Sequence, residues 1–391
     1  MSGSASRRTN RLEVLANVPG GLVLCVAALA LCSLVFVGSA TADDLQFSNQ
    51  QARQGLFLLC GAGIGFFLLL PHYVHVLRAA WLFYGIVVLA LLGLPWFAPE
   101  INGTRRWYAL PGFSVQPSEF AKLGVVLALA ALLRFKTRAK TFDGLVVPIL
   151  VTSVPALLIL RQPDLGSALV FGPVLLAMCY SAGASTRSIL AVVLLGAVLG
   201  FVASLTSLHG YQRTRIDVWL SHWSWSESNL QTTEVRELLL SHGYQPWQAL
   251  IALGAGGLTG FGIGQGPQNR YDFLPYRSED YVFAVVGEET GWLGCVTVLG
   301  IVLALVIGLL GIAMRTRERF GRLVCVGVAT WIGTQSLIHV AVCGWLVPAK
   351  GLPMPLLSYG GSSTLATLLG VAICLNIGAR REPILAGDGY R

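Results

Sequence analysis

Ten apolar segments set the terms for this chain. They run near 20–38, 55–71, 80–97, 117–134, 144–160, 165–182, 189–207, 284–313, 323–347 and 358–377. An α-helix needs about 20 apolar residues to cross the hydrocarbon core of a bilayer. The chain is 54% hydrophobic and only 12% charged, where a soluble domain carries about 25% charged residues. Lipid offers the backbone no hydrogen bonds, so each span must satisfy its own as a helix. The expected fold is therefore an all-α polytopic integral membrane protein with ten transmembrane helices. It forms a single membrane domain over 1–391.

The charges orient it. With the N-terminus in the cytoplasm, sixteen of the 27 basic residues fall inside, against five of the 19 acidic ones. The inside then carries +11 and the outside −3, which account for the formal +8 of the chain. This is the positive-inside pattern, and an even span count puts both tails, 1–17 and 378–391, in the cytoplasm. The basic balance thus reflects topology and gives no reason to expect a nucleic-acid partner. The Ala40-Thr41-Ala42 sequence resembles a signal cleavage site. The apolar run before it exceeds the usual h-region of about 7–15 residues, so the segment is expected to stay as an anchor.

One outside connection is long, 208–281 between spans seven and eight. It holds Trp219, Trp223 and Trp225, an amphipathic piece Thr233–Leu240, and a glycine-rich run from Gly254 to Gly266. Connections beyond about 12–15 residues are usually functional or disordered, and this one is too apolar and aromatic for disorder. It reads as a folded element on the membrane surface. The glycine run lacks the Lys-Ser/Thr and the strand–helix setting of a phosphate loop, so its glycines are expected to permit close packing. The eight cysteines lie in or beside apolar segments and are read as packing residues. Neither they nor His75, His209, His222, His242 and His339 show metal-ligand spacing.

Polar residues collect at the outer ends of the spans. Asp280 closes the long connection just before an apolar run, and Glu279, Glu288 and Glu289 lie close to it in sequence. Carboxylates at a membrane boundary are costly unless they are paired or functional. Arg106 and Trp107 precede Gln116-Pro117-Ser118-Glu119, with Lys122 one helical turn beyond Glu119. Spacing i,i+3 lets Glu119 and Lys122 pair. Asp164 follows Pro163 as a candidate N-cap. Arg215, Gln248 and the Lys350–Ser363 stretch complete the set. Cations suit pyrophosphate, and a carboxylate suits removal of a proton from a sugar hydroxyl. On the residues alone, an enzyme and a transporter with a charged path both remain open.

In this order the motifs resemble the shape, elongation, division and sporulation (SEDS) proteins, the RodA/FtsW family of bacterial peptidoglycan polymerases. The pieces are Asn102-Gly103 with Arg106-Trp107; Gln116-Pro117-Ser118-Glu119 with Lys122; Gln162-Pro163-Asp164-Leu165-Gly166; Arg215; Tyr244-Gln245 with Gln248; Gly254 to Gly257; Leu274-Pro275 with Asp280; Glu288-Glu289; and Leu352-Pro353 through Ser358-Tyr359-Gly360-Gly361-Ser362-Ser363. The resemblance implies a glycosyltransferase that polymerises lipid II at the outer face of the bacterial cytoplasmic (inner) membrane. It implies a class B penicillin-binding protein as partner and Asp280 as the catalytic acidic residue. Arg106, Lys122 and Arg215 are the expected pyrophosphate contacts. Trp107, Glu119, Gln248 and Ser358 are expected to line the substrate site, and Asp164, Glu288 and Glu289 to support it. A divalent cation, Mg²⁺ or Mn²⁺, is a plausible counter-ion. The alternative is a flippase that moves lipid II without chemistry. The family commonly reads Pro-Glu-x-His-Thr-Asp-Phe where this chain has Pro275-Tyr276-Arg277-Ser278-Glu279-Asp280-Tyr281, and often Asn at His339. Glu279 beside Asp280 is expected to raise its pKa. Gly351-Leu352-Pro353, Phe273-Leu274-Pro275 and the short tails lean towards the RodA branch.

Overall fold

The computed structural model describes residues 11–42, 49–101, 103–135, 143–206, 210–223 and 243–380, with 235, 237 and 239 singly. Trp225, Thr233–Leu240 as a unit, Asn102, His209, His242 and the basic residues at 7, 8, 136, 138 and 140 lie outside them.

A short helix α1 (Arg11–Ala16) leads into the bundle. Then come α2 (Gly20–Thr41), α3 (Gln50–Leu69), α4 (Val74–Phe97), α5 (Pro117–Leu133), α6 (Asp143–Leu160), α7 (Leu165–Ser181) and α8 (Thr186–Thr206). The long connection carries α9 (Gly210–His222), α10 (Tyr244–Ala255) and α11 (Pro267–Arg270), and the chain closes with α12 (Val282–Arg315), α13 (Arg319–Cys343) and α14 (Gly361–Ala379). Each expected span thus has a helix. Six of them, α2, α3, α4, α12, α13 and α14, are long and apolar enough to cross a membrane by length and composition. The protein is a polytopic membrane protein. Its outer helices turn large apolar side chains outward, among them Leu59, Phe67, Leu82 and Leu194. In water such faces would drive association; in a bilayer they face lipid.

The centre of the bundle is α5. Every residue from Pro117 to Leu133 except Phe120 is buried. A helix that is apolar all round packs on all sides, and α5 touches α4, α6, α7, α13 and α14. Asp164 caps α7 as its position after Pro163 predicts. Its Oδ1 accepts from Ser167 N at 3.0 Å and its Oδ2 from Ser167 Oγ at 2.7 Å.

Two features depart from a simple all-α bundle. The connection between α4 and α5 folds into a hairpin, β1 (Tyr108–Leu110) with β2 (Phe113–Val115). It turns at Pro111-Gly112, where Gly112 has φ +86°. The second departure is α12. Its 34 residues would be about 51 Å long, well beyond a ~30 Å core. The helix breaks at Gly291, φ 65° and ψ −163°. Measured from the turn at 316–318, Gly291 lies level with Cys343, the last residue of α13. The buried piece Val282–Glu289 therefore lies beyond the end of α13, leaving 292–315, about 36 Å long, to match the ~30 Å core. The expected span at 284–313 is shifted accordingly.

The glycine-rich run fills that break. Trp292 N donates to Gly257 O at 2.8 Å and Gly262 N to Glu289 O at 2.9 Å. These bonds satisfy backbone groups that the break frees. Gly260 has φ +74°, and a Cβ there would lie 2.2 Å from Glu289 O. Gly260→Ala is expected to destabilise the fold by about 2–4 kcal/mol through overpacking and backbone strain. Thermal melts in detergent check this, with Gly254→Ala, which meets open space, as the near-neutral control.

Candidate active site at one end of the bundle

Asp280 is held by a pinned turn. Its backbone N–H donates to Tyr276 O at 2.9 Å, and Tyr359 N–H donates to Ser278 O at 2.8 Å. Ser278 Oγ donates to Gln50 Oε1 at 2.9 Å. Arg277 donates from Nε to Ala40 O at 2.6 Å and pairs with Asp272 at 2.5 Å. Leu274 and Tyr281 are buried on either side. The turn is thus tied to the ends of α2 and α3 and to the approach to α14. Ser278, where the family commonly has His, serves as one of these ties.

The Asp280 carboxylate rests against Gly351. A Cβ on Gly351 would meet Oδ2 at 2.9 Å and Oδ1 at 3.3 Å. A Cβ on Gly166 would come within 3.2 Å of Gly351 O and 3.7 Å of Asp164 Oδ1. Three distant segments, 164–166, 280 and 349–351, therefore meet. Two arginines brace the meeting point. Arg106 donates to Gln162 O at 2.7 Å and Pro163 O at 3.0 Å, and Arg215 to Ala349 O at 2.9 Å. Lys350 adds a third cation.

These neighbours tune one another. Burial pushes the Asp280 carboxyl up to about 7; Glu279 and Asp164 reinforce the rise, while Arg215 and Arg106 oppose it. Glu279 has the effect its position predicts, though burial is the larger cause. Burial also raises Glu279 itself. Lys350 falls to about 8 through burial, partly offset by Asp164. A carboxylate near 7 can take and release a proton at neutral pH, which is what a general base requires.

Of the expected site residues, Asp280, Arg106, Arg215 and Asp164 come together here. Lys350 joins them; the sequence reading included the Lys350–Ser363 stretch but gave Lys350 no role of its own. Three expected substrate residues, Lys122, Glu119 and Ser358, are buried in other contacts. Lys122 and Glu119 are each 1% exposed and paired at 2.7 Å. Lys122 Nζ also donates to Gln335 Oε1 at 2.7 Å, as does Trp331 Nε1 at 2.7 Å, and Gln335 Nε2 donates to Pro353 O at 2.7 Å. This network ties α5 to α13 and to the loop before α14. Lys122 is thus desolvated and spends two of its three N–H donors inside this network. Ser358 is buried, and its Oγ accepts from Met354 N at 2.8 Å, closing a turn. Trp107 and Gln248 are half-buried near this end.

Glu288 and Glu289 anchor the segment 267–269. Glu288 accepts from Gln268 N at 2.6 Å and Asn269 N at 3.1 Å, at the start of α11. Glu289 accepts from Asn269 Nδ2 at 2.7 Å and from Ser39 Oγ. His339 contacts Leu352 O at 2.8 Å and steadies the same loop. No group of three His, Cys, Asp or Glu residues poised for a metal occurs among the described residues.

The model of the FtsW/RodA/SpoVE family, described as cell cycle proteins, matches residues 20–382. The chain belongs to this family. A relative named probable peptidoglycan glycosyltransferase FtsW, from Geobacter sulfurreducens, is 33% identical and covers 92% of this chain and 94% of its own. A protein of the same name from Nitrosococcus halophilus is 34% identical, with 91% of each chain covered. Among solved structures, a chain from a peptidoglycan synthase complex that coordinates polymerization and crosslinking superposes with TM-score 0.75 at 30% identity, covering 92% of this chain and 97% of that one. The rod shape determining protein RodA of Thermus thermophilus gives TM-score 0.66 at 29% identity, covering 93% and 97%. Within the family the sequence relatives thus carry the FtsW name and the RodA likeness comes from solved structures.

Proposed function

We propose that this chain is a peptidoglycan glycosyltransferase that polymerises lipid II at the outer face of the bacterial cytoplasmic membrane, with ten spans and both termini inside. The observation that carries this reading is the buried carboxylate of Asp280, held with Arg106, Arg215 and Lys350 about it at one end of the bundle. Asp280 takes the proton from a sugar hydroxyl of the acceptor. The freed oxygen bonds to the anomeric carbon of the donor, and the bond from that carbon to the pyrophosphate oxygen breaks, with inversion. The lipid pyrophosphate leaves with the electron pair. Arg106, Arg215 and Lys350 stabilise its negative charge, as fixed cations do in a water-poor site.

A divalent cation would sit with the pyrophosphate. Asp280 and Glu279 are its candidate ligands, since Mg²⁺ commonly takes one or two carboxylates plus substrate phosphates. Its chemistry would be charge neutralisation. Purified protein reconstituted in liposomes with lipid II tests the function: polymer formation supports it, and translocation without polymer supports the flippase reading. Lys350→Met is expected to lower kcat/KM by about 10–100-fold by removing charge from the leaving group, with the folded protein intact by melting temperature.

The partner we propose is a class B penicillin-binding protein, joined in the membrane alongside lipid II and bulk lipids. Part of the aromatic surface expected to receive it is already used within the chain. Trp219 Nε1 donates to Trp345 O at 3.2 Å, His222 stacks on Trp345 at 4.3 Å, and Trp247 packs edge-on to the same ring at 6.2 Å. Among the described residues, Leu220 and Trp223 stay exposed beside them and are open to docking.

A further inference from the structure

A second site lies at the opposite end of the bundle. Helix α5 begins beside the Asp280 region, where Gln116 N donates to Ser362 Oγ at 2.9 Å. Its 17 residues carry the chain about 25 Å away. There α5 and the start of α4 part around a cavity of about 390 Å³. Arg78 and Trp81 line it from α4, and Arg134 and Phe135 from the end of α5, over a floor that includes Val74 and Leu77. The Arg134 guanidinium stands 4.5 Å from the Phe135 ring centre. Neither arginine pairs with a carboxylate among the described residues. Trp81 and Phe135 are 47% and 48% exposed. Lys136, Arg138 and Lys140 follow in the sequence.

We propose that this cavity binds one anionic phospholipid, its phosphodiester between Arg78 and Arg134 and its upper acyl chains against Val74, Leu77 and Trp81. Two like charges at one cavity mouth repel unless an anion lies between them. Guanidinium groups match phosphate oxygens with paired hydrogen bonds. Apolar walls below the charges select an amphiphile over a free anion, and the volume falls in the ~300–1,000 Å³ range of ligand pockets. Basic pockets between spans on the cytoplasmic side fit lipid head groups, and Trp81 suits the membrane interface. The leaflet follows from the topology proposed above; the binding chemistry does not depend on it. A lipid held here joins the ends of α4 and α5.

Native mass spectrometry and thermal melts of the full chain in mild detergent test the site. The probes are dioleoylphosphatidylglycerol, dioleoylphosphatidylcholine and inorganic phosphate. Wild-type protein is expected to retain one phosphatidylglycerol more than Arg78→Gln/Arg134→Gln, and to melt higher with phosphatidylglycerol than with phosphatidylcholine. The double variant should lose affinity by about tenfold or more. Arg78→Gln alone, at an exposed position, should lose about fivefold and keeps the test valid if the double variant does not fold. Equal retention by wild type and variants, or no preference for the anionic lipid, overturns the proposal. Displacement of the lipid by millimolar phosphate would show an ion site and overturns it as well. Loss of polymerase activity plays no part in this readout, so the two proposals fail separately.

Discussion

Asp280→Asn is expected to lower glycan synthesis from lipid II by about 10²–10⁴-fold, the usual contribution of a positioned general base. The loss should fall on kcat and leave KM nearly unchanged, because asparagine keeps the shape and the neighbouring cations still hold pyrophosphate. A structural explanation of the same loss is separable. Asp280 has its pKa raised to about 7, so the folded state favours the protonated form. The stability it contributes is fully present below about pH 4, the ordinary carboxylate range, and is lost progressively as pH rises to about 7. The neutral asparagine avoids that loss. The variant is expected to melt no lower than wild type at about pH 4 and higher at neutral pH and above. A variant that is inactive but melts much lower would place Asp280 in the scaffold instead.

The second large effect concerns Lys122. Lys122→Met leaves Glu119 charged, buried and without its ion-pair partner. Breaking one side of a buried pair costs about 3–5 kcal/mol. The cost here is aggravated because Glu119 Oε2 already has no hydrogen-bond partner, and because Gln335 Oε1 loses one of its two donors and keeps only Trp331 Nε1. Melting of the detergent-solubilised protein should drop sharply. The double change Glu119→Gln/Lys122→Met removes both charges and should recover most of the loss. A direct catalytic role predicts the reverse: near-normal melting of the single variant, and no recovery of activity in the double.

The bundle was legible because the length of each apolar run is set by membrane thickness, so the order of helices could be read along the chain. The Asp164 cap was legible for a local reason, since a short acceptor side chain after proline satisfies the first free N–H groups of a helix. The break in α12 was not. Gly291 looks like any other glycine in an apolar run, and its role depends on the run from Gly256 to Gly262, which returns from earlier in sequence to complete its backbone bonds. The hairpin at 108–115 was overlooked although Pro111-Gly112 is a turn signal. Of the site, the charged residues and the Glu119–Lys122 pair were visible, but what encloses that pair was not. Spacing shows that Glu119 and Lys122 share a helix face. It does not show that Gln335 and Trp331, more than 200 positions away, close over them. Lys350 went unassigned because its neighbour Asp164 comes from α7.

The most direct test of the central claim is the pH–rate profile of polymerisation by reconstituted protein, with its transpeptidase partner present and lipid II saturating. Asp280 must be deprotonated to act as base, and Lys350 must be protonated to stabilise the leaving pyrophosphate. With these groups at about 7 and about 8, the rate should rise through about pH 7, fall again above about pH 8, and form a bell. Asp280→Asn should retain only a trace rate without the acid limb. A wild-type profile flat from about pH 5.5 to 8.5, or an acid limb that persists unchanged in Asp280→Asn, would contradict the assignment of Asp280 as the base.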